Sequence, residues 1–301
     1  MLKIRVPASS ANMGAGFDCL GVALSVYNYI YVNQTGHGLV IEAEGEGKDK
    51  IAKDEKNLVY QSMKKVFEYA KKSVDGLYIK LENNIPLSRG LGSSSACIVG
   101  GMTAANALLG NPLTDREILN LALLEEKHPD NITPCLVGGF TASMVYENEV
   151  YYIKKDVPDK ISFLLIIPDF TLKTKKSREI LPQNILLNDA AFNISHSTIF
   201  ALGMYSENFD IFKVALKDKI HQPYRSHFIS DFDDILKKCE EFGALGAYLS
   251  GSGSTIAAIL YDSDRGKVEN GIRKYLDKTN KCWKVITVKA DNLGATVEKI
   301  Q

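Results

Sequence analysis

The 301-residue chain has no surplus of either charge: 36 lysines and arginines balance 36 aspartates and glutamates. A nucleic-acid binder normally carries a basic excess, so the balance argues against that class of partner. It leaves room for a small anionic ligand, which a few arginines and backbone amides can hold. Long apolar runs are also missing. The longest, "FLLIIP" from Phe163, falls far short of the roughly 20 residues that cross a bilayer, and no membrane partner is expected. The opening "MLKIRVPASSANMGAGFDCLG" has no unbroken apolar segment behind its basic residues, so a secretory leader is not expected either. Cysteine is sparse and odd in number: Cys19, Cys97, Cys135, Cys239 and Cys282, without Cys-x-x-Cys spacing. These read as reduced thiols, all but Cys282 in the core, in a cytoplasmic protein. The five histidines show no His-Glu-x-x-His spacing. Internal repeats, low-complexity tracts and heptads are absent as well.

What is present is an ordinary globular composition, 45% hydrophobic and 24% charged, enough for one large domain or two smaller ones. "LKIRV", "LGVALSVYNYIYV", "LVIEAE" and "LYIKLE" read as strands. "NLVYQSMKKVFEYAKK" reads as a helix capped by Asn57. "TDREILNLALLEEK" carries a capping box, Thr114 with Glu117. "TASMVYENEVYYI" reads as two strands turning at Glu147-Asn148. The polar "KKDVPDK" marks a boundary, giving domains at 1–155 and 156–301. The second part reads as a buried strand at "ISFLLIIP", helices over roughly 188 to 242, then strand, loop, strand, helix, strand. Strands and helices are partly segregated, which predicts an α+β fold.

Chemistry concentrates in "IPLSRGLGSSSACIVGG", residues 85 to 101. Gly90 and Gly92 allow positive φ and close approach to a ligand. The apolar run behind them predicts a helix ending near Gly110. The serines then sit at a helix N-terminus, where free N–H groups and the helix dipole favour an anion. The stretch is neither a Gly-Lys-Ser/Thr phosphate loop nor a G-x-G-x-x-G fingerprint, since Ser95 stands where the third glycine would be. Taken alone, a capped helix in a glycine turn is the commoner explanation. Two further small-residue loops, "VPASSANMGAGFDCLGVAL" and "LSGSGSTIAAIL", change that balance.

Together the three segments resemble the signature motifs of the small-molecule kinase family that includes galactokinase, homoserine kinase, mevalonate kinase and phosphomevalonate kinase. The resemblance runs the length of the chain. Ser95-Ala96 stands where the family usually has two alanines. Within the family, "NMGAGFD" from Asn12, "EKHPDNITPCLVGGF" and the segments around Arg178 and Arg225 are most similar to the homoserine-kinase branch.

The resemblance implies an N-terminal domain like that of a ribosomal protein and a ferredoxin-like C-terminal domain, with the site between them. It implies ATP and Mg²⁺ as cofactors and L-homoserine as the partner, phosphorylated on the way to threonine. A homodimer is left open. Pro86, Arg89, Gly90, Leu91, Gly92, Ser93, Ser94 and Ser95 would wrap the triphosphate, with Ser94 and Glu126 on the metal. Asn12, Asp18, Asn131, Arg178 and Arg225 would hold the amino acid, whose ammonium needs an anion and whose carboxylate needs a cation fork. His128 reads as structural. Asn131 cannot take a proton at neutral pH, so no essential side-chain base is expected and Asp130 is the residue to test. Two alternatives stay open: a family member acting on another small alcohol such as mevalonate, and a non-catalytic nucleotide sensor.

Overall fold

A computed structural model describes residues 1–300. The strands are β1 (Leu2–Ala11), β2 (Leu20–Gln34), β3 (Leu39–Gly45), β4 (Leu77–Asn83), β5 (Phe140–Tyr146), β6 (Glu149–Lys155), β7 (Ile161–Ile167), β8 (Gly246–Leu249), β9 (Ile256–Tyr261), β10 (Lys284–Val288) and β11 (Thr296–Lys299). The helices are α1 (Leu58–Tyr69), α2 (Ser93–Leu108), α3 (Asp115–Glu125), α4 (Pro129–Val137), α5 (Thr174–Glu179), α6 (Leu187–Ser206), α7 (Phe212–Ala215), α8 (Gln222–Arg225), α9 (Phe232–Phe242) and α10 (Arg265–Lys278). The α+β expectation holds.

The first sheet has seven strands, in the order β11-β1-β2-β4-β3, with β5 pairing the start of β2 and β6 pairing β5. Alternation sorts its faces. Ile4 and Val6 of β1 point into the core, under α2 and α4. Lys3 and Arg5 point outward, over the rings of Tyr29 and Tyr27. β1 runs further than expected, through Ser9 and Ser10 into the stretch read as a loop. Those serines still pair with Ala23 and Val22 of β2, beyond a register shift between Pro7 and Ala8. A proline cannot donate to the ladder, which fits an irregularity there.

The second sheet has four antiparallel strands in the order β10-β7-β9-β8. With α9 between β7 and β8 and α10 between β9 and β10, this is the ferredoxin-like arrangement the resemblance implied. Every residue of β7 is buried, which explains its unbroken apolar run. Phe163 and Leu165 face the larger core shared with the first sheet, while Leu164 and Ile166 face α9 and α10. The expected boundary falls in the link between β6 and β7. One strand was missed: β11 returns to the first sheet, antiparallel to β1.

All five cysteines are free. Cys135 and Cys239 are core residues, but Cys19 and Cys97 are only partly buried, packed against the core rather than within it. The turn at Glu147-Asn148, the Asn57 cap and the end of α2 near Gly110 stand as expected. So does the capping box: Glu117 N–H donates to Thr114 Oγ1 at 3.3 Å, and Thr114 N–H donates to Glu117 Oε2 at 2.8 Å. Thr114→Ala should lower unfolding stability by about 1 kcal/mol in urea titration. Its turnover should match that of the parent, since the cap is remote from the cleft described next.

Candidate active site

A cleft of about 480 Å³ lies where three small-residue loops meet. Gly92, at φ +66, caps α2 without any side-chain hydrogen bond. The N–H groups of Ser93, Ser94 and Ser95 have no acceptor among the described residues. The Ser93 hydroxyl is buried and unpartnered. Open amides and an orphan hydroxyl at a positive helix end form a receptor for an anion.

The glycines have a reason the sequence did not show. A Cβ on Gly92 would fall 2.0 Å from Ser9 Oγ, and one on Gly90 would fall 2.2 Å from the Ser250 carbonyl oxygen. Both glycines are required for loops to pack on loops, before any ligand arrives. Ser250 Oγ donates to Gly90 O at 2.6 Å, Ser10 Oγ lies 2.7 Å from Ser250 Oγ, and Tyr248 Oη lies 2.9 Å from Ser10 Oγ. Each hydroxyl has one proton, so the chain has one direction: Tyr248 donates to Ser10, Ser10 to Ser250, and Ser250 to the phosphate-loop carbonyl.

Of the residues expected at the triphosphate, Arg89 lines the cleft and Pro86 does not. The Arg89 guanidinium donates to the carbonyls of Pro168, Asp169 and Leu87 at 2.8, 2.9 and 3.3 Å, so its charge tethers the loop to the end of β7. Pro86 is buried at the foot of the loop, outside the cleft lining. Leu91 is buried and lines the cleft, and its carbonyl accepts from Ser9 N–H at 3.2 Å.

Three charged side chains of the lining, Asp130, Arg178 and Arg225, are built on α4, α5 and α8. Arg178 donates to both oxygens of Asp18, at 2.6 and 3.2 Å. The two residues assigned opposite ends of an amino acid thus hold each other in the free protein. His128 Nε2 lies 3.7 Å from the same carboxylate, so this histidine belongs to the site. Burial lowers its pKa and Asp18 pulls it back up. Arg225 is 1% exposed. Its Nε donates to Ser177 O at 3.2 Å and its Nη1 to Gly251 O at 3.1 Å. Its Nη2 has no acceptor among the described residues, and the residue lines the cleft. Burial, then the nearby Arg178, push its pKa down to about 10.

Asn12 lines the cleft too, but both ends of its amide are used: it accepts from Asp18 N–H at 3.0 Å and donates to Gly251 O at 2.8 Å. It organises the loop. Asn131 accepts from Ser9 Oγ at 2.8 Å. Asp130, beside it on α4, is buried and lines the cleft without a hydrogen bond to its carboxyl among the described residues. Burial, then Asp18, push its pKa up to about 8.

Among the described residues no three His, Cys, Asp or Glu side chains cluster as a metal cage. Mg²⁺ needs none: one or two carboxylates plus substrate phosphates suffice. Glu126 caps the end of α3 and faces the cleft, 3.4 Å from Ser95 Oγ. Burial raises its pKa, opposed by Ser95 and Arg178. Ser94 is exposed and lines the same cleft. A carboxylate and a hydroxyl beside open amides are a hard oxygen donor set that fits the ion.

A family model for the N-terminal domain of GHMP kinases matches residues 57–139, and one for their C-terminal domain matches residues 198–278. The chain belongs to the GHMP kinase family. It is similar to homoserine kinase of Caldicellulosiruptor saccharolyticus, at 46% identity over 100% of this chain and 98% of that protein. It is similar to homoserine kinase of Clostridium botulinum strain Langeland, at 44% over 99% and 98%. A crystal structure of homoserine kinase from Cytophaga hutchinsonii superposes with a TM-score of 0.90, at 31% identity over 99% and 97% of the chains. The mevalonate kinase of Methanococcus jannaschii, at 16% identity over 96% and 98%, shares the fold with a TM-score of 0.72. As a GHMP kinase, the chain is an ATP-dependent phosphotransferase with an alcohol acceptor.

Sequence reasoning missed one wall of the cleft, formed by Ile51, Ala52, Leu58, Leu81 and Leu87 with Asn57 and Lys56. Apart from Leu87, at the start of the glycine-serine stretch, its apolar residues come from separate segments that no motif marks. It also missed Ser9, hidden inside β1.

Asp130 gives a signed pH prediction. The unfolded chain loses this proton near the ordinary value of 3.8, the folded protein near 8. Between these values the folded state binds more protons, so its stability falls as pH rises. Asp130→Asn removes that penalty. Its melting temperature relative to the parent should climb from about pH 4 to about pH 8 and then level off. A difference that stays flat across this range would mean the carboxyl is ionised throughout.

Proposed function

We propose that this chain transfers the γ-phosphoryl group of ATP to the side-chain hydroxyl of L-homoserine, giving O-phospho-L-homoserine for threonine biosynthesis in the cytoplasm. One observation carries the reading. An anion receptor at the start of α2 shares one cleft with Arg178 and Arg225, and Asp18 stands beside it paired to Arg178, in a chain 46% identical to a homoserine kinase. No helix among the described residues is long and apolar enough to cross a membrane, which is compatible with that location.

ATP supplies the phosphoryl group, and Mg²⁺, when bound, would supply neutralisation of phosphate charge. The chain supplies position. The amides of Ser93 to Ser95 receive phosphate oxygens, and Ser94 with Glu126 would hold the ion. Arg178 and Arg225 take the substrate carboxylate. Asp18 takes the ammonium. The zwitterion thus offers Asp18 and Arg178 each an opposite charge in place of the other. Asn131 orients the hydroxyl. A loose transition state needs little early deprotonation, so positioning and charge neutralisation carry most of the rate. A second reading gives Asp130 the proton, because its carboxyl is in the cleft with a pKa pushed into the working range of a base. An acid limb in the pH profile of kcat that vanishes in Asp130→Asn, with a loss of several decades, would favour it.

The deciding experiment is ADP release against homoserine, mevalonate, galactose and serine. Homoserine should give the highest kcat/KM, and faster turnover of mevalonate would overturn the substrate assignment. Arg178→Ala should cut kcat/KM for homoserine by roughly one to two decades, the worth of a charge-assisted hydrogen bond. The KM for ATP should stay put. Glu126→Gln should lower kcat and raise the Mg²⁺ concentration for half-maximal rate. An unchanged Mg²⁺ titration would remove Glu126 from the metal.

A further inference from the structure

His221 has no place in the reaction as read so far, yet it lies beneath both charged ends of the amino-acid site. It is fully buried at the start of α8, four residues before Arg225. Its Nε2 is 2.8 Å from the Gly14 carbonyl oxygen, which can only accept, so Nε2 carries the proton. Its Nδ1 is 3.4 Å from Arg225 Nη1, which can only donate, so Nδ1 is the acceptor. Gly14 belongs to the loop that ends in Asp18. The Phe17 ring of that loop stacks on the imidazole at 5.3 Å between centroids.

We propose that His221, as a neutral imidazole protonated on Nε2, is a positioning residue that ties the Asp18 loop to Arg225 and fixes how that guanidinium faces the substrate. The proposal rests on the reading that Arg225 receives the substrate carboxylate. Ser177 O, Gly251 O and His221 Nδ1 pin one side of the guanidinium, which leaves Nη2 for the cleft. A second proton on the ring would point at a cation. Asp218, 3.6 Å from Nε2, does not call for one: its carboxylate already accepts from the N–H groups of Ile220, His221 and Gln222 and from Asn193 Nδ2. Burial lowers the His221 pKa, in keeping with a neutral ring.

Two substitutions separate the two ring nitrogens. His221→Gln keeps an amide near the Nε2 position and loses the acceptor near Nδ1. His221→Asn does the reverse. His221→Gln should raise the KM for homoserine about tenfold, the loss of one hydrogen bond to a charged group, with the KM for ATP unchanged. His221→Asn should recover most of that. Equal rises in both KM values, or no advantage of Asn over Gln, would overturn the proposal. Nitrogen-15 spectra of the parent labelled at histidine test it without any variant: at pH 7, His221 should show a protonated Nε2 and a bare Nδ1. An Nδ1-protonated ring or an imidazolium would also overturn it. Failure of the parent to use homoserine would count against the substrate assignment, and the tautomer would still decide the coupling.

Discussion

The site depends on backbone meeting backbone at Gly90. That glycine lies against Ser250 and Gly253 so closely that no Cβ fits, and the Ser250 hydroxyl closes the contact by donating to its carbonyl. Behind Ser250 stand Ser10 and Tyr248, each with its single proton committed. Shifting either loop would leave buried hydroxyls without partners, at about 1–3 kcal/mol each. The phosphate loop is therefore fixed by the second sheet's loop as well as by its own helix. Arg89 adds a tether to the end of β7. This is preorganisation in a physical sense: the open amides at Ser93 to Ser95 are aimed before a ligand arrives.

Charges in the cleft follow a second constraint. An isolated charge taken out of water is costly unless it is paired or neutralised. Asp18 and Arg178 meet that demand by pairing, and Arg225 meets it with carbonyl and imidazole acceptors. Asp130 has no such partner among the described residues, and burial pushes its pKa up to about 8.

β7 joins the two halves. Its odd residues complete the core shared with the first sheet, and its even residues complete the core under α9 and α10. The cleft lies at this seam, so residues from both halves can converge on one substrate. The return of β11 to β1 adds a second connection between the chain's ends.

The sequence by itself determined the α+β class, the capping box at Thr114, the Asn57 cap, the buried strand at "ISFLLII" and the helix behind the glycine-serine stretch. Each rests on local periodicity or on contacts within a few residues, which the linear order records. It also marked the glycine-serine loop, Glu126, Asn131 and the two arginines of the cleft, through the resemblance carried by several segments together rather than by any one loop alone. Only the tertiary structure decided what those residues do there. Arg89 also tethers its loop, Asn12 also braces its loop and Gly92 makes room for Ser9, through partners tens to hundreds of positions away in the chain. His128 and His221 joined the site for the same reason. The pKa of Asp130 was equally out of reach, since burial and the nearness of Asp18 are properties of the folded arrangement and not of the residue type.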